Sequence, residues 1–250
     1  MTIWALSDLH LSFGISNKSM EVFGPTWKDW TKKIEQSWRA CIQHDDLVLI
    51  AGDISWSSNL KDALIDLQWI HNLPGTKLLL RGNHDYWWSS MKKIQEILPS
   101  SLHCLHNNVF NWNDCTIGGT RLWDTEAYNF NEIISFQDNP LATQKSISEE
   151  SAIKEDRKIF ERELLRLKMS LDQLCKNAKH RLVMTHYPPI GLNLAPSEVS
   201  TILDAYNIDL CIFGHLHNLN THSPLFGKLH RTTYLLTSCD YLNFQPIKIL

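Results

Sequence analysis

The sequence predicts an α/β domain built on a largely parallel sheet. Three observations support this prediction: short apolar runs typical of strands buried on both faces, helical patterns between those runs, and polar side chains directly after them. Strands that alternate with helices favour parallel pairing through helical crossovers. Ligands of such sheets bind beyond the carboxyl ends of the strands. We therefore look for a site where the apolar runs end.

Five apolar runs end at side chains that can bind metal. The runs occupy residues 3–6, 47–51, 78–80, 182–185 and 210–213. The polar residues that follow them are, in order, Asp8 and His10; Asp53; Asn83, His84 and Asp85; His186; His215 and His217. If the strands are parallel, all of these side chains meet at one edge of the sheet.

Two amphipathic helices are predicted between the first three runs. Apolar residues recur at steps of three and four on one face of each. The first set is Trp27, Trp30, Ile34, Trp38 and Ile42, and the second is Leu60, Ala63, Leu64, Leu67 and Ile70. Pro74 and Gly75 end the second helix and lead into the third run. We expect the inward-facing tryptophans to belong to the core.

Each polar residue taken singly also fits an ordinary structural role. Asp8 and Asp53 suit helix N-caps or turns, His186 precedes two prolines and suits a turn, and one His-x-His pair is a weak signal. The joint pattern is what indicates a site, because aspartate, asparagine and histidine recur at strand ends throughout the chain.

Composition restricts the classes of function. The chain of 250 residues is 43% hydrophobic and 20% charged with a net charge of −3, which predicts one globular domain and no overall basic field for nucleic acid. No apolar run approaches the ~20 residues of a membrane helix, and the first residues lack a signal-peptide pattern. The six cysteines include no Cys-x-x-Cys pair. We expect a cytoplasmic protein with reduced cysteines. No feature indicates an oligomeric state.

The ordered blocks D-x-H, G-D, G-N-H-D, H and G-H-x-H, spread from Asp8 to His217, resemble those of the calcineurin-like metallophosphoesterase superfamily. The opening Ser-Asp-Leu-His-Leu-Ser is similar to that of small bacterial predicted phosphohydrolases in this superfamily. The resemblance implies a single domain over residues 1–250. Its fold would be a four-layer αββα sandwich with the metal site at the carboxyl ends of the central strands.

The resemblance also implies two metal ions. One would be held by Asp8, His10, Asp53 and His217, and the other by Asp53, Asn83, His186 and His215. Asp53 would bridge them, with its two oxygens binding both cations. Mixed imidazole, carboxylate and amide donors suit Mn, Fe, Zn or Ni better than Ca. Trp56 stands where purple acid phosphatases have a tyrosine ligand for iron(III), so we expect divalent ions at both sites.

His84 remains after the ligands are assigned. The matching histidine of the superfamily faces the scissile phosphate, and the neighbouring Asp85 would orient the imidazole and keep it protonated. The implied reaction is in-line attack of a bridging hydroxide on a phosphate ester or diphosphate of a small phosphorylated molecule, by a phosphodiesterase or phosphomonoesterase. The alternatives are a nuclease of the same superfamily, which would need a basic groove, and a metal-binding scaffold without turnover. A metallo-β-lactamase-like hydrolase is set aside because residues 218–220 do not continue its motif.

Two regions outside the motifs are candidates for substrate selection. Arg121 follows an apolar run and either binds a phosphate or pairs at the surface with Asp124 or Glu126. A helical insertion around residues 125–178 either packs on the sheet or forms a cap over the site. Within it, the polar stretch 129–148 resembles a flexible lid.

Overall fold

Residues 1–16, 18–135, 149–220 and 225–250 are described by a computed structural model of the chain. The helices are α1 (Trp30–Cys41), α2 (Leu60–His71), α3 (Met91–Ile97), α4 (Glu149–Leu171) and α5 (Glu198–Ala205). The strands are β1 (Ile3–Ala5), β2 (Leu47–Ala51), β3 (Thr76–Leu80), β4 (Leu102–Leu105), β5 (Phe110–Trp112), β6 (Cys115–Thr120), β7 (His180–Thr185), β8 (Leu210–Phe213), β9 (Lys228–Leu229), β10 (Thr232–Leu236) and β11 (Ile247–Lys248).

The strands form two sheets and not one central sheet. The first has the order β11-β1-β2-β3-β4 and the second the order β5-β6-β7-β8-β10-β9. Pairing is parallel in the interior of both sheets, while β11, β5 and β9 are antiparallel edge strands. The predicted parallel pairing is therefore confirmed for the strands that end at the motifs.

Side chains on alternate residues of each strand separate the core into layers. Val48 and Ile50 of β2 face a cluster with α1 and α2, whereas Leu47 and Leu49 face the second sheet. Val183 of β7 in turn packs into a cluster with α4 and α5. Helices therefore cover the outer face of each sheet, and the α/β sandwich fold is confirmed. Because both faces of the central strands are covered, their apolar runs do not alternate with polar residues.

Helix α1 begins three residues later than the hydrophobic pattern predicts. Trp27 lies in a short 3-10 turn (Pro25–Trp27), and Asp29 adopts a left-handed conformation with φ 52° that interrupts the helical path. Trp27, Trp30 and Trp38 are nevertheless all buried. The tryptophans belong to the core, as predicted, although the helix does not include all of them.

Helix α4 packs against the second sheet. Leu164, Leu167 and Leu171 are buried, and the Ser170 hydroxyl oxygen accepts a hydrogen bond from the Gly119 N–H of β6 at 2.9 Å. Of the two arrangements expected for the helical insertion, α4 follows the packed one. The prediction that part of residues 125–178 covers the site remains a prediction, and residues 136–148 of the expected lid lie outside the described residues.

A search of the described residues for bilayer-crossing segments finds no helix with the required length and hydropathy.

Candidate metal centre

The five polar endings meet where the two sheets adjoin. Asp8 follows β1, Asp53 follows β2 and Asn83 follows β3 in the first sheet, whereas His186 follows β7 and His215 follows β8 in the second. The candidate ligands therefore come from both sheets, and the site lies across the gap between them.

The first set of donors consists of Asp8, His10 and His217, whose ligand atoms lie within 4.8 Å of one another. The Nε2 atoms of His10 and His217 are 3.1 Å apart. Asp8 Oδ1 lies 3.6 Å from His217 Nε2. Asp53 Oδ2 approaches the same group, 3.7 Å from His10 Nε2. These are the residues expected around the first ion.

The second set surrounds the Asn83 side-chain oxygen. His186 Nε2 lies 2.6 Å and His215 Nδ1 lies 3.1 Å from this oxygen. Asp53 Oδ2 is 3.5 Å from His186 Nε2. Asp8, Asp53 and His186 also form a group within 4.8 Å, so Asp8 lies near both sets. The structure thus brings all of the predicted ligands together.

Asp53 faces both sets through one oxygen. Oδ2 is the atom near both His10 and His186, whereas Oδ1 accepts a hydrogen bond from the His84 backbone N–H at 2.8 Å. The expectation that the two oxygens of Asp53 bind both cations remains a prediction, and in this geometry Oδ2 is the oxygen nearer to the histidines of both sets. The hydrogen bond to Oδ1 fixes the carboxylate with Oδ2 directed at both donor sets.

Left-handed backbone conformations place several ligands. The φ angles are 59° for Asp8, 47° for His10, 50° for Asp53 and 73° for His215. Such angles are uncommon for residues with a Cβ and persist where surrounding contacts hold them. Here the Asp8 N–H donates to the Gly52 carbonyl and the His10 N–H donates to the Asp53 carbonyl, at 3.0 and 2.9 Å. The two motif loops thereby hold each other.

The glycines of the motifs allow the ligand loops to approach closely. A Cβ on Gly82 would overlap the Asp53 side chain and backbone, and a Cβ on Gly214 would overlap the Asp8 carboxylate. Each of these glycines therefore makes room for a ligand carried by a different strand.

Charge in the site is set by burial and by the neighbouring carboxylates. Burial alone would raise the pKa of Asp53, but His186 and His10 outweigh it and hold that pKa well below its usual value. Burial lowers the pKa of His10 and of His215 well below the usual value, so both imidazoles are neutral, as metal ligands must be. Burial also opposes charge on His186, yet Asp53 and Asp8 raise its pKa to about 9. The carboxylates therefore favour the protonated form of His186.

The donor set fits metal cations. Asp8 and Asp53 are buried, and throughout the described parts of the chain the only ion-pairing partners of these carboxylates are histidines. Buried carboxylates without lysine or arginine require another source of positive charge. The His186 Nδ1–H donates to the Ala51 carbonyl at 2.9 Å, so Nε2 is the nitrogen that would bind an ion once its proton is displaced.

Asp240 is a site residue that the sequence did not reveal. The His217 Nδ1–H donates to Asp240 Oδ1 at 2.8 Å, and the Asn218 N–H donates to the other oxygen at 2.9 Å. Burial disfavours a charged His217, but Asp240 outweighs this effect and raises the pKa of His217 well above its usual value. Asp240 lies a few residues beyond β10, another apolar strand, but Thr237, Ser238 and Cys239 intervene and hide the signal.

Comparison with known proteins assigns the family. A sequence profile described as calcineurin-like phosphoesterase matches residues 1–219, from the first strand through the last predicted ligand. The chain belongs to the calcineurin-like phosphoesterase family.

Sequence relatives match a shorter part of this phosphoesterase. Gene 66 protein of Mycobacterium phage D29 is 35% identical over 83 residues, which are 33% of this chain and 40% of the phage protein. Gene 66 protein of Mycobacterium phage L5 is 34% identical over 84 residues, which are 33% of this chain and 39% of the phage protein. The matches thus span well under half of each relative.

Solved structures share the fold of this phosphoesterase over nearly its whole length. Phosphopantetheinyl hydrolase from Mycobacterium tuberculosis aligns with a TM-score of 0.57 at 14% identity, covering 100% of this chain and 95% of the hydrolase. A protein of unknown function from Aquifex aeolicus aligns with a TM-score of 0.50 at 17% identity, covering 99% of this chain and 95% of the Aquifex protein. At such identities the similarity concerns the fold alone.

His84 lies beside the ligands of this phosphoesterase. Its ring centroid is 5.7 Å from that of His10 and 4.4 Å from that of Trp56, and Trp56 also stacks on His10 with centroids 5.0 Å apart. Burial lowers the pKa of His84, and its Nδ1 atom is buried without a hydrogen-bond partner among the described residues.

The predicted pairing of Asp85 with His84 is wrong. The Asp85 carboxylate accepts hydrogen bonds from the backbone N–H groups of Ile54, Ser55 and Gly82 and from the indole N–H of Trp87, at 2.7–3.1 Å. Asp85 is fully buried and fixes the loop after β2 to the loop after β3. It therefore positions Asp53 and Asn83 through the backbone and does not hold His84 protonated.

Arg121 points away from its expected partners. Its guanidinium lies 3.9 Å from Glu163 of α4 and 4.3 Å from the centroid of the Trp123 ring. Among the ion pairs of the described residues, neither Asp124 nor Glu126 forms the predicted surface pair with Arg121. The Arg121 backbone carbonyl, however, accepts from the N–H groups of His186 and Tyr187 at 3.1 and 3.0 Å. Arg121 thus supports a ligand loop through its backbone, and phosphate binding by its side chain remains a prediction.

Proposed function

We propose that this calcineurin-like phosphoesterase is a dinuclear metal enzyme that hydrolyses phosphate esters of small molecules. The observation that carries the proposal is the convergence of two donor sets on Asp53 Oδ2, which lies 3.7 Å from His10 Nε2 and 3.5 Å from His186 Nε2. One atom placed between two sets of nitrogen and oxygen donors suits a pair of cations better than a single one.

The ion at the first site would be held by Asp8, His10, Asp53 and His217, and the ion at the second by Asp53, Asn83, His186 and His215. Imidazole, amide and carboxylate donors favour divalent Mn, Fe, Zn or Ni. When bound, such ions supply Lewis acidity toward phosphoryl oxygens and lower the pKa of a coordinated water.

The site residues outside the two ligand sets have two roles, proton donation to the substrate and positioning of the ligands. His84 stands at the edge of both donor sets and donates a proton to the leaving oxygen. Because burial lowers the pKa of His84, its protonation depends on the negative charge of the bound phosphate, which favours the charged imidazole. Asp240 fixes His217 with Nε2 toward the first site, and Asp85 fixes the loops that carry Asp53 and Asn83.

The experiment that tests the proposal is metal titration of the stripped protein. The protein is treated with chelator and assayed on nitrophenyl phosphate and bis(nitrophenyl) phosphate after addition of Mn, Ni, Co, Zn or Mg. We expect activity only with added metal, saturating with two ions bound per chain. A single ion at full activity, or turnover in excess chelator, would contradict the proposal.

Asp53→Asn is the decisive variant. Since the amide keeps the shape but removes the shared anionic oxygen, we expect turnover to fall to background and both ions to bind more weakly. Asp45→Asn, at an exposed carboxylate far from the ligands in the fold, is the matched control and keeps full activity. Two tightly bound ions in Asp53→Asn would exclude the bridging role.

A further inference from the structure

Two cavities adjoin the candidate metal centre, and both are lined in part by His215 and Ile134. Each has a volume of about 360 Å³. We call the one lined by His84 and His217 the His84 cavity, and the one lined by Tyr187 the Tyr187 cavity. Ile134 stands between them because residues 133–135 pair with residues 218–220, directly after the ligand His217.

The His84 cavity has apolar side chains beside the polar residues of the site. Met20, Phe23 and Trp27, from the 3-10 turns before α1, face Ile134 across it. Because the proposed proton donor His84 lies in this cavity, it is the place for the group that leaves with the protonated oxygen.

The Tyr187 cavity has aromatic walls. Tyr187 packs on the ligand His215 with ring centroids 4.1 Å apart and on Trp123 at 5.0 Å. Tyr128 and Phe130 complete the wall at a centroid separation of 5.7 Å. Among the described residues that line this cavity, the only histidine is the predicted ligand His215, so we assign the cavity to the substituent that stays attached to phosphorus.

Charge in the described lining of the cavities disfavours a second phosphate. Among the described residues that line them, neither cavity has a lysine or arginine, and Asp124 adds an acidic group to the Tyr187 cavity. Outside a metal centre, the guanidinium of arginine and the ammonium of lysine are the side-chain groups that bind phosphate most strongly. Aromatic walls instead bind flat, uncharged groups.

We propose that the substrate is a phosphodiester with two uncharged, largely apolar or aromatic substituents. One substituent leaves from the His84 cavity while the other remains in the Tyr187 cavity. Water adds to phosphorus, the P–O bond to the leaving substituent breaks, and His84 gives its proton to that oxygen. The products are an alcohol and a phosphate monoester, and one proton is released to solvent. This inference rests on the proposed function, because it assigns the substituents of a phosphate held at the metal centre.

The test compares a diester with the corresponding monoester on metal-loaded protein. For bis(4-nitrophenyl) phosphate against 4-nitrophenyl phosphate, we expect the diester to have the higher kcat/KM. Tyr128→Ala should lower the ratio of diester to monoester kcat/KM roughly tenfold, since it removes one wall of a pocket that the monoester does not fill. Tyr128→Phe, which removes only the hydrogen bond to the Pro188 carbonyl, should leave this ratio unchanged.

Phe23→Ala provides the complementary measurement. It opens the His84 cavity, which both esters use, so kcat/KM should fall for both by a similar factor. Val22→Ala is its matched control, because Val22 lies in the same 3-10 turn and is 51% exposed. Metal content is measured for every variant.

The outcomes separate this inference from the function on which it rests. Preference for the monoester, or an equal effect of Tyr128→Ala on both esters, would overturn the diester assignment while the phosphoesterase proposal stands. Efficient hydrolysis of inorganic diphosphate would overturn the exclusion of charged substituents. No metal-dependent turnover of either ester would overturn the proposed function itself.

Discussion

At the scale of single residues, His84 is the side chain whose chemical role is most open to measurement. As a general acid, His84 would increase the rate ~10²–10⁴-fold. Removing it would cost most of this increase only for substrates whose leaving oxygen needs a proton. We therefore expect His84→Ala to lose little activity on a nitrophenyl ester and far more on an alkyl ester, with unchanged metal content.

The control for this comparison is the metal analysis. An equal loss on both esters would assign His84 to stabilisation of the phosphoryl charge. Loss of metal would place it among the ligands.

Asp240 supports a prediction about pH. Asp240 raises the pKa of His217, so below that raised pKa a proton competes with metal for Nε2, and above it the imidazole is free to bind. We expect wild-type metal affinity to rise as the pH passes upward through this value. In Asp240→Asn the rise should occur at lower pH, because the carboxylate that favours protonated His217 is gone.

The same variant should bind metal more weakly once the proton no longer competes. Loss of a carboxylate that orients a ligand histidine typically costs roughly 10–100-fold in affinity. We expect this loss on the high-pH side of the His217 titration and a smaller one on the low-pH side, measured across a pH series by competition with a fluorescent chelator. An affinity loss independent of pH would argue against the link between Asp240 and the His217 proton.

At the scale of elements, the close approach of the loop after β8 to the loop after β1 leads to a prediction about Gly214. A Cβ at this position would displace the Asp8 carboxylate. We expect Gly214→Ala to fold but to lose roughly a hundredfold in activity, because small displacements of a reacting site have costs of that size. Gly227→Ala is the control, since a Cβ there meets no atom within 4 Å. Full activity in Gly214→Ala would show that the loops carrying Gly214 and Asp8 can move apart without loss of activity.

The strands and their polar endings could be predicted from sequence because both signals are local. The runs that became β2, β3, β7 and β8 are apolar on both faces, and the ligand follows each within a few residues. The partner of Asp85 could not be predicted in this way. Its hydrogen bonds reach the loop after β2, and adjacency to His84 in the chain gave the wrong partner. Arg121 was misplaced for the same reason, since Glu163 of α4 lies 42 positions away in sequence and pairs with it only in the folded chain.

At the scale of the whole molecule, the predicted ligands come from both sheets, so bound metal would add to the stability of the fold. An ion that binds only the folded state at 1,000 times its Kd stabilises it by about 4 kcal/mol. For a chain of this size that corresponds to roughly 10 °C in Tm. We expect chelator to lower Tm by this order and added Mn to restore it, measured by calorimetry. A Tm unaffected by chelator would show that the sheets stay together without the ions.

Two indole rings lie against the ligand imidazoles. Trp56 stacks on His10, and the edge of Trp27 meets both His10 and His217, at centroid distances of 6.1 and 5.6 Å. A paramagnetic ion held by these imidazoles would be close enough to quench the fluorescence of both indoles. A zinc ion at the same place would not quench it, because zinc is diamagnetic. The fluorescence of Trp27 and Trp56 would therefore depend on which metal the site holds. The other eight of the ten tryptophans in the chain would add a constant emission to this signal.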